Sequence, residues 1–151
     1  MQINIHCVGK MRSPALQALM TEYQKRIKWL ITIKEVICNK PLPKEQLCKI
    51  EGEMLLTGCP EGFVVALDEK GEHMSSKEFA TLIDKVDKSN HKKLHFLIGG
   101  AYGHDNAILK KANKVISLSK LTFPHQMVRL ILIEQIYRAF TINNNHPYHK
   151  D

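Results

Sequence analysis

Two short runs, Phe63–Leu67 (FVVAL) and Leu94–Ile98 (LHFLI), constrain this chain most. Their residues are apolar almost without a break, so a strand built from either buries both of its faces. Each run ends in polar or glycine-rich residues, and a helix-like segment follows. Parallel strands need such crossovers, and helices then cover the sheet from both sides.

The remaining segments fit the same alternation. Gln2–Val8 places Ile3, Ile5 and Cys7 on one side, as a strand does, and Gly9 closes it. Ser13 and Pro14 read as an N-cap and a first helical residue, and Leu16, Leu19, Met20, Tyr23 and Ile27 carry that helix to about Lys28. Leu30–Ile37 reads as the second strand. Lys44 to about Leu56 reads as a helix stopped near Gly58. After FVVAL, Asp68–Met74 reads as a polar loop around Gly71. Ser75 to Glu78 then forms a capping box ahead of Phe79, Leu82, Ile83 and Val86. Asp105 to about Asn113 is a short helix, Val115–Leu118 the last strand and Met127–Phe140 the last helix. The expected fold is α/β, a mostly parallel sheet with helices on both faces. No linker divides it, so residues 1–151 form a single domain.

A net charge of +7 either reflects a solvated basic surface or points to a polyanionic partner such as nucleic acid. The four cysteines form no C-x-x-C pair, which argues against a zinc ribbon and fits free thiols in a reducing cytoplasm. No signal peptide or membrane-length apolar run is present, so a cytoplasmic protein without a membrane partner is expected. His146 and His149 find no third ligand at a recognised spacing, so no metal is expected.

Two loops stand at strand carboxyl ends, where open α/β sheets bind ligands. The first, Gly99-Gly100-Ala101-Tyr102-Gly103, lets a ligand approach the backbone, but it is not G-x-G-x-x-G and serves equally as a tight turn. The second, Leu118–His125 (LSKLTFPH), pairs apolar walls with small hydrogen-bonding residues. It suits a flat heterocycle such as adenine, or forms an ordinary buried loop. In Met127–Phe140, ten of fourteen residues are Met, Val, Leu, Ile, Tyr, Ala or Phe. One core-facing stripe needs fewer. The helix is either deeply buried or also meets a partner subunit. Beyond it, Arg129, Arg138, His125, His146, Tyr148, His149 and Lys150 cluster in sequence, as a frayed terminus or as an RNA-contacting edge.

Taken together, IGGAYG, SLSKLTFPHQMVR, LIEQIYRAF and NNNHPYHK resemble the SPOUT-class methyltransferases. Within that class they resemble the small bacterial enzymes that methylate N3 of a pseudouridine in 23S rRNA. The likeness runs from the VGK after the first strand to the terminal YHK. It implies a deep trefoil knot at the C-terminal end, S-adenosyl-L-methionine as methyl donor, a homodimer with shared active sites, and action on the assembled ribosome. Carried over by motif, the cofactor residues are Leu67, Gly99, Leu118, Ser119, Lys120, Leu121, Thr122 and Phe123. For the chemistry, His149 suits a general base, Arg138 a stabiliser of charge on the base edge, and Tyr148 an orienting or proton-removing group. Two other classes remain: a non-catalytic RNA-binding protein, and a nucleotide-dependent enzyme acting on a small molecule.

Overall fold

The computed structural model describes residues 1–150. Ten elements alternate: β1 (Gln2–Val8), α1 (Pro14–Arg26), β2 (Leu30–Val36), α2 (Lys44–Thr57), β3 (Phe63–His73), α3 (Ser76–Lys88), β4 (Lys93–Ile98), α4 (Asn106–Lys111), β5 (Lys114–Ser117) and α5 (His125–Asn143). They form one five-stranded sheet in the order β2-β1-β4-β3-β5, with every pairing parallel. The strand runs predict this, because β3 and β4 occupy interior positions and bury both faces.

Crossovers that step one way across the sheet, β1 to β2 and β3 to β4, carry α1 and α3 on one face. Those stepping the other way, β2 to β3 and β4 to β5, carry α2 and α4 on the opposite face. Keeping every crossover of one hand requires this division. On the first face Met20, Phe79, Ile83, Leu132, Ile133 and Ile136 pack against Ile3, Ile5, Val65, Leu94 and Phe96. On the second, Leu55 and Ile108 pack against Val8, Val64 and Leu97.

Local chemistry sets the boundaries. Ser13 Oγ accepts from the Leu16 amide at the head of α1, which ends at Arg26, two residues short of the expected end. The capping box forms as read: Glu78 N donates to Ser75 Oγ, and Ser75 N donates back to the Glu78 carboxylate.

The main departure is β3, where Asp68–Met74 is not a loop. The strand breaks register between Leu67 and Glu72, arches outward, and rejoins β5 with Glu72 opposite Ile116 and His73 opposite Ser117. Gly71 permits the crossing, since a Cβ there would lie 2.5 Å from the Ile116 carbonyl carbon. Polar sequence masked this strand, because at a sheet edge only one side need be apolar.

Candidate active site

The carboxyl ends of β3, β4 and β5 open into a cavity of about 520 Å³. The chain leaving β3 goes to one face and the chain leaving β4 to the other, and this divergence opens a crevice at strand ends. Leu67 and the arch Asp68–Lys70 form one wall, and Ile98 with Gly99–His104 a second. Ser117–Ser119 and Leu121–His125 form the third.

Each wall is held by its own backbone. Gly103, at φ +76°, donates its amide to the Gly100 carbonyl at 3.0 Å and closes the glycine turn. A Cβ on Gly99 would lie 2.9 Å from the Gly103 carbonyl carbon, so only glycine fits. His104 Nε2 donates to the Leu97 carbonyl at 3.1 Å, tying the turn to β4. Burial holds the His104 imidazole below its ordinary value, so the ring is neutral. In the third wall, Ser117 Oγ donates to the Ser119 carbonyl and Ser119 Oγ accepts from the Leu121 amide, at 2.9 and 3.0 Å.

Seven of the eight residues expected around a cofactor line this one cavity: Leu67, Gly99, Leu118, Ser119, Leu121, Thr122 and Phe123. Lys120 is exposed and is not among the lining residues. His104 and the Asp68–Lys70 arch escaped the sequence reading, whereas Tyr102 lies within the glycine turn named there. His104 directly follows the glycine turn, which was the available signal. The arch had none, because it exists only through the register break.

The C-terminal residues build a separate cluster on the far end of α5. Glu134 Oε1 accepts from Arg138 Nε at 3.1 Å and Nη2 at 2.6 Å, and from the Tyr148 hydroxyl at 3.0 Å. Arg138 Nη1 donates to His149 Nδ1 at 3.1 Å, which puts the proton of the neutral ring on Nε2. The Tyr148 ring lies 4.6 Å from that of Tyr137, with the Arg138 guanidinium 4.9 Å away. Burial, aided by hydrogen bonds with Tyr23 and Glu134, pushes the Tyr148 phenol far above its ordinary value. Bonding to Glu134 likewise raises Arg138. Glu134 was missed, although its place four residues before Arg138 is the helical ion-pair spacing.

Arg138, Tyr148 and His149 thus come together, but not at the cavity. His125 and Val128 line the cavity from the first turn of α5, and Arg138 lies ten residues beyond Val128, about 15 Å at helical rise. Arg129 joins neither group. It is 1% exposed, pairs with Glu35 at 2.6 Å, and belongs to the interior, not to an RNA-facing edge.

A third polar cluster, His6, Cys59 and His95, has donor atoms within 4.8 Å of one another. Its bonds are satisfied internally. His95 Nε2 donates to the Glu61 carbonyl at 2.8 Å, leaving Nδ1 to accept from His6 Nε2 at 3.0 Å. Cys59 Sγ donates to the Leu55 carbonyl at 3.5 Å.

The family model described as predicted SPOUT methyltransferase matches residues 1–149. The ribosomal RNA large subunit methyltransferase H of Christiangramia forsetii is 44% identical, over 99% of both chains. That of Parabacteroides distasonis is 42% identical over the full length of both. In structure the chain is similar to a probable methylase family protein from Haemophilus influenzae, with TM-score 0.59, 13% identity, and coverage of 99% of this chain and 70% of that one. It is also similar to a protein from Legionella pneumophila solved with bound SAM, with TM-score 0.55, 10% identity, and coverage of 92% and 66%. At those identities the likeness concerns the fold.

Proposed function

The chain belongs to the SPOUT methyltransferase family, and from that membership we propose that it methylates N3 of a pseudouridine in 23S rRNA, with S-adenosyl-L-methionine as donor. The donor supplies an activated methyl group, so the protein's work is to bind, align and manage one proton.

The cavity suits that donor. Its volume lies in the usual range for small-ligand sites. Leu118, Leu121 and Phe123 offer apolar walls for an adenine, and the glycine turn leaves backbone within reach because no Cβ fits at Gly99. We assign Leu67, Gly99, Leu118, Ser119, Leu121, Thr122 and Phe123 to cofactor contact. Lys120, carried over by motif, contributes through its backbone position in the loop.

The observation that carries the reading further is the division of α5. The cavity borders its first turn, and Arg138, Tyr148 and His149 sit at its other end. A site needing both is incomplete in one chain. A second copy with α5 running antiparallel brings one chain's C-terminal cluster to the other's cavity. Met127, 42% exposed at the cavity end, and Leu19, 49% exposed on α1, are apolar residues such a partner would cover. We infer a homodimer with two composite sites.

In that site Arg138 swings Nη1 from His149 Nδ1 to a carbonyl oxygen of the target base, where it stabilises the charge left when N3 loses its proton. Nδ1, the imine nitrogen of the neutral His149 ring, then accepts that proton in place of the Arg138 hydrogen bond. Tyr148 stays protonated through its bond to Glu134 and orients the base. The trefoil knot belongs to the same reading, as do a cytoplasmic location and action on the assembled ribosome. Among the described residues no helix is long and apolar enough to cross a membrane.

Mass spectrometry of rRNA nucleosides from cells with and without the protein tests the reaction: methylpseudouridine disappears with the gene, and its persistence refutes the assignment. Mixing tests the shared site. Gly99→Val and Arg138→Ala proteins, each inactive alone, recover up to about a quarter of wild-type activity when co-refolded, because random pairing leaves one intact composite site in half of the dimers. No recovery despite mixed dimers refutes the sharing.

A further inference from the structure

The loop between β1 and α1, residues 9–12, lies against the first turn of α5 and is held from below. Buried Arg129 donates Nη2 to the Gly9 carbonyl at 2.7 Å and the Val8 carbonyl at 3.3 Å, while Nη1 pairs with Glu35 at 2.6 Å. Glu35 accepts in turn from the Met11 amide. Gln126 accepts from the Arg12 amide and donates to the Lys10 carbonyl, both at 3.2 Å. The loop's backbone groups are therefore turned inward and fastened.

Its side chains are not. Lys10 and Arg12 are exposed, and neither has a salt-bridge partner among the described residues. Arg129 and Glu35 cancel one another, so the loop keeps two positive charges. The loop also neighbours a residue of the cavity wall, although none of its own residues lines the cavity. A Cβ on Gly9 would lie 3.6 Å from His125 Nε2, and His125 lines the cavity.

A backbone fastened by four side-chain hydrogen bonds, with a fifth to the adjoining Val8 carbonyl, is a costly way to display two solvated charges, unless they must stand at a fixed place. A surface lysine serving only solubility needs no such support. We propose that Lys10 and Arg12 form a ledge that grips backbone phosphates of the RNA strand beside the nucleotide entering the cavity. The partner is a polyanion because the ledge offers one ammonium point charge and one guanidinium fork on a preorganised support. This rests on the RNA-methylating reading above and adds the residues that hold the strand.

The test is a salt series of binding to intact ribosomes and to deproteinised 23S rRNA, for wild type and the Lys10→Ala/Arg12→Ala double variant. The expected result is a loss of affinity of about 10- to 100-fold on both, with the slope of log K against log salt shallower by roughly 1.5 to 2. A Lys10→Arg/Arg12→Lys protein restores the slope. Unchanged S-adenosyl-L-methionine affinity and urea midpoint establish that the variants fold. An unchanged slope overturns the ledge. A loss on ribosomes but not on deproteinised RNA overturns it too, in favour of an acidic protein surface. If wild type binds with the ledge-dependent slope yet transfers no methyl group, the proposed reaction fails and the ledge stands. If it methylates without that dependence, the ledge alone fails.

Discussion

Glu134 is the residue whose importance the three-dimensional arrangement reveals most clearly. One carboxylate oxygen holds both Arg138 and Tyr148. Glu134→Gln keeps the shape and removes the charge. We expect the methylation rate to fall about 10- to 100-fold, the order of one lost charge-stabilising interaction, with donor affinity unchanged. The phenol of Tyr148 moves back toward its ordinary range, followed by ultraviolet titration of the tyrosines. A normal rate, or an unmoved phenol, removes Glu134 from the mechanism. Gly99 acts through space. Gly99→Ala forces a Cβ to within 2.9 Å of the turn's backbone, so the turn opens. A stability loss of about 1–3 kcal/mol is expected by urea unfolding, with donor binding weakened in calorimetry. Tight binding by a fully stable Gly99→Ala protein contradicts the close-approach account.

Elements differ in how openly their sequences state their roles. α3 states its own: the capping box, one apolar face and lysines in the last turn all agree with the observed helix. Ser75→Ala removes the cap that Glu78 N uses. The expected cost is about 1 kcal/mol. For a chain of this size that is a fall of roughly 2–4 °C in Tm, read by circular dichroism; no change would mean that the cap is idle. β3 states half of its role. Its apolar half is plain, but its polar half is a strand only because Gly71 lets it cross β5. α5 proclaims heavy burial and hides its geometry. Leu132, Ile133, Ile136 and Ala139 are fully buried within one chain, so much of its apolar surface is already used against α1, α3 and the sheet. Sequence could not apportion that surface between core and partner, because periodicity counts apolar faces without saying what meets them.

For the whole molecule, the buried histidines make stability depend on acid. His6 is 1% exposed, and burial, then the neighbouring His95 and Lys34, push it down to about 4. Its unfolded value is near 6.5. Below that pH the unfolded chain takes a proton that folded His6 refuses, so stability falls from about pH 6.5 to 4 and levels off below. The loss attributable to His6 is about 3 kcal/mol. Burial lowers His95 and His104 as well, so their protonation adds to the same acid limb. Urea midpoints at pH 7, 5.5 and 4 measure the decline, and His6→Gln makes it shallower. An equally steep decline in that variant assigns the limb to other groups.

The alternation of apolar runs and helical segments was enough to determine a parallel, helix-covered sheet, since a strand apolar on both faces has few other homes. Strand-end position and glycine content likewise marked both loops that now line the cavity. The grouping of motifs identified the family. Tertiary structure alone decided the rest. It bent β3 into a cavity wall and buried Arg129 as an anchor for the loop of Lys10 and Arg12. It also set Arg138 of the C-terminal cluster about 15 Å along α5 from the last cavity-lining residue, Val128. The reason is physical: local sequence reports which residues prefer burial and which turns they tolerate. Contacts such as Arg129 with Gly9, or Glu35 with Met11, join residues far apart in the chain and exist only once the sheet has brought them together.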